Sequence, residues 1–335
     1  MIRQEIILAF RDFNKHRLYW SVSVFSIALA VASVLVISHY VAVAKSYDKF
    51  HTNAENIFRV VSKYKDGEQL HNKAMSPGAI GYYLKQNSPS IDNFCAFTGK
   101  YGPEKILVDT AGAFYTTYLY ATSDICKVFT FHFIQGSESE FEAPETAIIS
   151  ETKARNWFRD PQKALGQIIK MQQANITVVG VFKDFPSTSH FTPEFIVRIP
   201  DRWQAHTKWD WPTYYTYIKI NEHPSALTEI KSILNETNRT IFNPSIQKSN
   251  PSIHDAELSL QALSDIHLNS NLEREIQANG SNEFITILIW IAILILVTAT
   301  LNFTNLYVTQ FQNRLKEIGI RKINGSSGWY IFQSY

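Results

Sequence analysis

The sequence is poor in the residues and motifs that carry chemistry. Cysteine occurs only as Cys95 and Cys126. Two cysteines in 335 residues exclude a disulfide framework as the organising element. No G-x-x-x-x-G-K-[ST] is present, and Thr98-Gly99-Lys100 lacks the earlier glycine, so the chain is not its own conventional ATPase. H-E-x-x-H, Cys-x-x-Cys and G-x-S-x-G are absent as well. The ten histidines are scattered, and His190, His206 and His254 lack the spacing of metal ligands. No catalytic, cofactor-binding or metal-binding residue is therefore assigned, and no cofactor is expected. A formal net charge of +2 gives no reason to expect a nucleic-acid partner. There is no low-complexity segment and no short tandem repeat.

Charge is missing from two long stretches. Residues 18–44 and 284–308 contain no Asp, Glu, Lys or Arg. Each exceeds the roughly 20 residues that a helix needs to cross a bilayer. The first is too long for a signal peptide and ends without a small-x-small cleavage site. The second is apolar on every face, unlike a core helix. Positive charge near the span ends sets the orientation. Arg3, Arg11, Lys15 and Arg17 precede the first span, and Arg314, Lys316, Arg321 and Lys322 follow the second. Both termini are thus expected in the cytoplasm, with residues 45–283 outside. An oxidising exterior would permit Cys95 and Cys126 to pair.

What is present reads as an α+β membrane protein: two transmembrane helices flank a large outer domain. Residues 1–17 carry an apolar stripe of Ile2, Ile6, Ile7, Phe10 and Phe13. This fits either an amphipathic helix lying on membrane lipid or a cytoplasmic extension of the first span. Ser23, Ser26 and Ala30 line one side of that span, and Ser26 and Ala30 have small-xxx-small spacing. Asn302 and Asn305 are polar within the second span or at its inner edge, where such residues usually face protein.

In the outer domain, Ile57 to Ser62 alternates like a strand, and Ser76-Pro77-Gly78 reads as the start of a helix over 79–86. Residues 175–182 and 213–220 are β-rich, 225–234 is helical, and 258–263 reads as a final strand. The order predicts two βαβ halves with an inserted subdomain at about 104–200. The aromatics Trp203, Trp209, Trp211, Tyr214, Tyr215 and Tyr217 are read as packing a subdomain junction.

The segment at 309–335 interleaves Arg314, Lys316, Glu317, Arg321 and Lys322 with Leu315, Ile318, Ile320 and Ile323. Gly319 and Gly325 suit close approach or the end of a helix. A generic positive flank explains the basic residues but not Glu317-Ile318-Gly319. Arg314 to Ser326 resembles the R-x-K-E-[IV]-G-[IV]-R-[KR]-x-x-G-[AS] signature of MacB/FtsX-type ABC transporter permeases. Three other stretches resemble that family in order. They are Ser46 to His51 with Asn56 to Val60, then Gly180 to Phe191, then Leu263 to Leu272.

The resemblance implies a permease of the bacterial inner membrane with a MacB-like periplasmic core domain, driven by a separate cytoplasmic ABC ATPase. It implies that Arg314, Lys316, Glu317, Ile318, Gly319, Arg321, Lys322 and Gly325 lie where permease and ATPase meet. It also implies a homodimer or a paired permease half, and movement of the outer domain without passage through a membrane channel. Family members carry further spans, so the chain is read as an N-terminal portion, one part of a split permease, or a truncated product. Where the family has glycines in its first span, this chain has Ser26 and Ala30. The competing reading is a bitopic receptor with an outer sensory domain. A receptor needs a cytoplasmic signalling domain after the second span.

Overall fold

The alternation of β1 (Ile57–Asp66) does not separate water from core; it separates two cores. Phe58, Val60 and Tyr64 face one apolar cluster, whereas Ile57 faces another. β1 is therefore a central strand, as its β-branched content favours. The structure is a computed structural model that describes residues 17–108, 112–172, 174–325 and 328–329. The described residues form two compact units: the chain up to Val43 together with the chain from Asn282, and Ala44–Ser281.

In Ala44–Ser281, β1 pairs antiparallel with β11 (Tyr215–Ile220) on one side and with β12 (Ile253–Ala262) on the other. β11 in turn pairs with β3 (Ile91–Phe97). β2 (Gln69–Lys73) adds a hairpin to β1. A helix at Ile80–Asn87 links β1 to β3, and helices at Ala226–Thr237 and Asn243–Ser249 link β11 to β12. The two predicted βαβ halves are thus real connections, but they are not side by side. Their strands interleave in the order β3-β11-β1-β12, the split βαβ arrangement of ferredoxin-like sheets. Ile80 and Leu84 from one helix meet Ile230, Leu234 and Ile246 from the others, and Phe242 from the π-helical turn between them, over one sheet face. Each such side chain contributes about 1.5–3 kcal/mol on burial.

Between β3 and β11 the chain builds a second sheet that closes on itself. β5 (Gly112–Ala121) pairs with β4 (Tyr101–Val108), which pairs with β8 (Ile168–Lys170). β8 pairs with β9 (Asn175–Phe182), β9 with β7 (Thr146–Ser150), and β7 with β10 (Phe195–Arg198). β10 then returns to β5, so the six strands form a barrel. β6 (Phe133–Gly136) pairs with β9 outside the ring. Ile106, Val108, Ile149, Ile169, Val178, Phe195 and Val197 share one apolar cluster inside it. Closure leaves no exposed edge in the ring itself. The barrel joins the interleaved sheet at the bridge of Phe97 with Ala121, flanked by bonds from the Thr98 N–H to the Tyr120 carbonyl and from the Thr122 N–H to the Ala96 carbonyl. One apolar cluster also spans the two, holding Leu119, Ile148 and Ile196 with Ile57, Cys95 and Tyr217.

The other unit contains two helices long and apolar enough to cross a membrane, with apolar windows Ser21–Ala44 and Asn282–Asn305. The helices themselves run Arg17–Ala44 and Asn282–Ile323. The N-terminal stripe of Ile2 to Phe13 lies outside the described residues.

Candidate functional site

Ser23 and Ala30 are seven residues apart and therefore share a helix face, and both are buried, at 6% and 4% exposure. Ser26, between them, donates to the Ser23 carbonyl at 3.0 Å and accepts from Asn302 Nδ2 at 3.1 Å. Ser23, Ser26, Ala30 and Asn302 are thus brought together, and small side chains let the two helices approach. Asn305, one turn further on, is exposed.

Arg314, Lys316, Glu317, Ile318, Gly319, Arg321 and Lys322 all lie on the second long helix, well past its apolar window. Its α-helical run stops at Ile323, and Gly325 takes φ +87, with its N–H bonded to the Lys322 carbonyl at 3.2 Å. Glycine takes that conformation at the least steric cost, so Gly325 marks the helix end. Gly319 lies about one turn before that end, and a Cβ placed on it would meet nothing within 4 Å.

The three other motif stretches converge in the unit Ala44–Ser281. Asp48, four residues past the first apolar helix, takes φ 58, a conformation Asp tolerates better than most residues. Its N–H donates to the Thr188 carbonyl at 2.8 Å. Its Oδ1 accepts from the His190 N–H at 3.0 Å and from Ser189 Oγ at 3.2 Å, and lies 2.9 Å from His190 Nδ1. His190 Nε2 lies 2.8 Å from the Tyr217 hydroxyl on β11. His51 Nδ1 accepts from the Thr130 N–H, and Thr130 Oγ1 accepts from the Thr52 N–H. Tyr47 stacks on His267 with ring centroids 3.3 Å apart and planes within 1°. The His267 carbonyl in turn accepts from the Gly280 N–H, two residues before the second apolar helix.

A second buried knot pins the same approach. Arg59 on β1 is fully buried and grips Glu275 through both guanidinium ends, at 2.7 and 2.8 Å. It also donates to Gln261 Oε1 at 2.7 Å, while Ser270 Oγ donates to Glu275. A bidentate pair fixes orientation as well as distance.

Electrostatics follow from these partners. Burial pushes the Asp48 carboxyl up, but the charge and hydrogen bonds of His190 outweigh it and hold it below the usual carboxylate range. Glu275 behaves alike: burial raises it and Arg59 lowers it further. Burial pushes the Tyr217 hydroxyl up, so it stays protonated. The His190 ring thus bridges the Asp48 carboxylate and the Tyr217 hydroxyl. Burial pushes His51 down to about 4, against the opposing pull of Asp48. Among the described residues, Asp48 Oδ2 and His51 Nε2 are both buried without a hydrogen-bond partner.

These joints were legible only as motif stretches; the Asp48–His190 and Arg59–Glu275 partnerships were not, because they span more than 140 residues. The aromatic series does not form one junction. Trp203 and Tyr214 pack in one cluster, Tyr215 and Tyr217 in a second, and Trp209 against a third, while Trp211 is exposed. Tyr215 and Tyr217 share a cluster because residues two apart in β11 share a face. Cys95 and Cys126 are both free and buried. Among the described residues no group of His, Cys, Asp and Glu is placed to hold a metal ion.

A search of curated proteins finds no match. Among solved structures, a domain of a putative permease from Porphyromonas gingivalis aligns with TM-score 0.54 at 18% identity, over 63% of this chain and 91% of that one. The periplasmic region of MacB from Actinobacillus actinomycetemcomitans aligns at 0.41 and 11% identity, over 64% and 91%. The extracellular domain of the noncanonic ABC-type transporter YknZ from Gram-positive bacteria aligns at 0.39 and 15%, over 61% and 100%. The first of these supports the fold. The family model of the MacB-like periplasmic core domain matches residues 21–233, more than half the chain. That match places this chain in the MacB-like periplasmic core domain family.

Proposed function

We propose that the chain is a permease subunit of an ABC transporter, seated in the bacterial inner membrane with both termini cytoplasmic and residues 45–283 periplasmic. A separate cytoplasmic ATPase drives it through the segment Arg314 to Gly325. Its two spans move the periplasmic domain for export or for mechanical signalling, as a homodimer or with a paired permease half. Lipid surrounds the apolar faces of both spans.

One observation carries this reading. The residues that follow the first apolar helix and those that precede the second are both tied into the domain by buried, charge-assisted bonds, Asp48 to His190 and Glu275 to Arg59. Such joints are short and stiff. A displacement of either helix would be passed to β1 and β11 rather than absorbed by a loose linker. The chain itself needs no nucleotide site for this work.

The test separates coupling from folding. Glu317→Lys and Gly319→Trp are expected to lower co-purification of an ABC ATPase from native membranes while leaving the near-UV spectrum of the outer domain unchanged. Unaltered ATPase association in both variants would sink the proposal. A kinase or signalling partner in place of an ATPase would favour the receptor reading.

A further inference from the structure

The open end of the barrel holds a cavity of about 310 Å³, at the lower end of the usual range for small-molecule sites, and barrel mouths are a common place for them. Its floor is Tyr118, Ile176 and Val197, which point into the barrel. Its wall is aromatic. Tyr120 meets Trp203 at 4.6 Å, Tyr101 at 5.7 Å and Tyr118 at 5.4 Å between ring centroids, each nearly edge to face. All four crossed rings line the one space.

Two carboxylates stand over the same cavity. Glu104 shares its strand face with Ile106 and Val108, so alternation turns it toward the interior. Tyr118 donates its hydroxyl to Glu104, and the Gln172 N–H donates to the other oxygen at 3.2 Å, which anchors that carboxylate in place. Glu145 sits exposed at the turn into β7, at φ 58. The lining also holds Arg198, Asp201 and Arg202. Arg198 and Asp201 offset one another across 3.3 Å, which leaves Arg202 against two glutamates. The balance at the mouth is therefore acidic and aromatic.

We propose that this mouth binds a compact organic cation of the quaternary-ammonium kind. Ring faces attract a cation through their quadrupole, most strongly where it is partly desolvated, and nearby carboxylates complete the charge match. A weakly hydrated trimethylammonium group suits such a site better than a metal ion, which would demand more oxygen ligands.

The test is equilibrium dialysis of radiolabelled choline against the full chain in a nonionic detergent. Its neutral isostere, with a tert-butyl group in place of trimethylammonium, serves as competitor. Saturable choline binding is expected, with the isostere weaker by about tenfold or more. Trp203→Ala should weaken choline by about tenfold and Glu145→Gln by about fivefold, while Trp211→Ala leaves it unchanged. Tyr101 is 44% exposed, so Tyr101→Leu retains the fold and should also weaken binding. Absence of saturable choline binding, equal binding of the isostere, or unchanged binding in both Trp203→Ala and Tyr101→Leu would each overturn the proposal.

Discussion

In the interleaved sheet, β1 buries Arg59 beside Ile57 and Val60; in the barrel, the inward positions of β4, β7, β8, β9 and β10 are apolar until the mouth is reached. The barrel fixes its geometry by ring closure and needs no buried charge to do so. The interleaved sheet spends desolvation on charges that hold the chain segments next to the two apolar helices. A buried ion pair adds little net stability, but it specifies position strongly, because a misplaced partner leaves a charge alone in the core. The difference suggests a division of labour: a junction positioned by charge at the chain segments next in sequence to the two apolar helices, and a barrel whose interior is positioned by ring closure.

Breaking the junction should have the largest effect. Arg59→Met strands Glu275 in a half-buried site and is expected to cost about 3–5 kcal/mol. The double variant Arg59→Met/Glu275→Leu should recover most of that loss, since neither charge remains. Urea unfolding followed by tryptophan fluorescence measures both. If the double variant is as unstable as the single one, the pair is not acting as an electrostatic unit, and the contrast with the barrel weakens.

Acid should loosen the junction before the barrel. His51 is neutral when folded down to about pH 4, whereas the unfolded residue protonates near 6.5. Its folded-state value is depressed, so the unfolded chain binds the extra proton. Stability is full above about 6.5 and falls as pH drops toward 4, by up to about 3 kcal/mol. Asp48 acts in the same direction at lower pH, since its own value is held below the usual range. His51→Asn keeps an acceptor for Thr130 and should flatten the curve between pH 6.5 and 4.5. Parallel curves for the two proteins would show that His51 contributes nothing to the pH dependence.

These two regions also differed in how far the sequence revealed them. Residues 57–62, 79–86, 213–220 and 225–234 of the interleaved sheet, and 175–182 of the barrel, were readable because period-2 and period-3.6 patterns and β-branched content survive in them. The interleaving was not, because strand order depends on which long loops close, and no local pattern records that. β4 and β5 escaped notice: Tyr101 to Val108 carries Gly102, Pro103, Glu104 and Lys105, a composition that argues against a strand. The barrel supplies the missing context, since only one face of β4 is covered. Asp48 and His190 were quoted as parts of motifs without a physical role. Their partnership needed the fold, because 142 residues separate them.

A conservative change inside the barrel should be milder. Ile149→Val removes one methylene from a fully buried position and is expected to cost about 1 kcal/mol. The measurement is the unfolding midpoint in urea at unchanged slope. A loss above about 3 kcal/mol would mean that the ring tolerates truncation no better than the charged junction does.

The smallest effect belongs to the helix pair. Asn302 donates to Ser26 at 3.1 Å between helices that are otherwise apolar. In the proposed bilayer this bond has no water to compete with it, which would seem to make it strong. Yet separated helices find other partners for an Asn, including their own carbonyls, so interhelical bonds of this type are worth only about 0.6 kcal/mol on average. Asn302→Leu should therefore shift the thermal midpoint in detergent only slightly, whereas Ala30→Leu, at a buried position where small size permits contact, should shift it more. The reverse order would mean that the polar bond, and not close packing, holds the two helices, and that they resemble the Arg59–Glu275 junction more than the barrel.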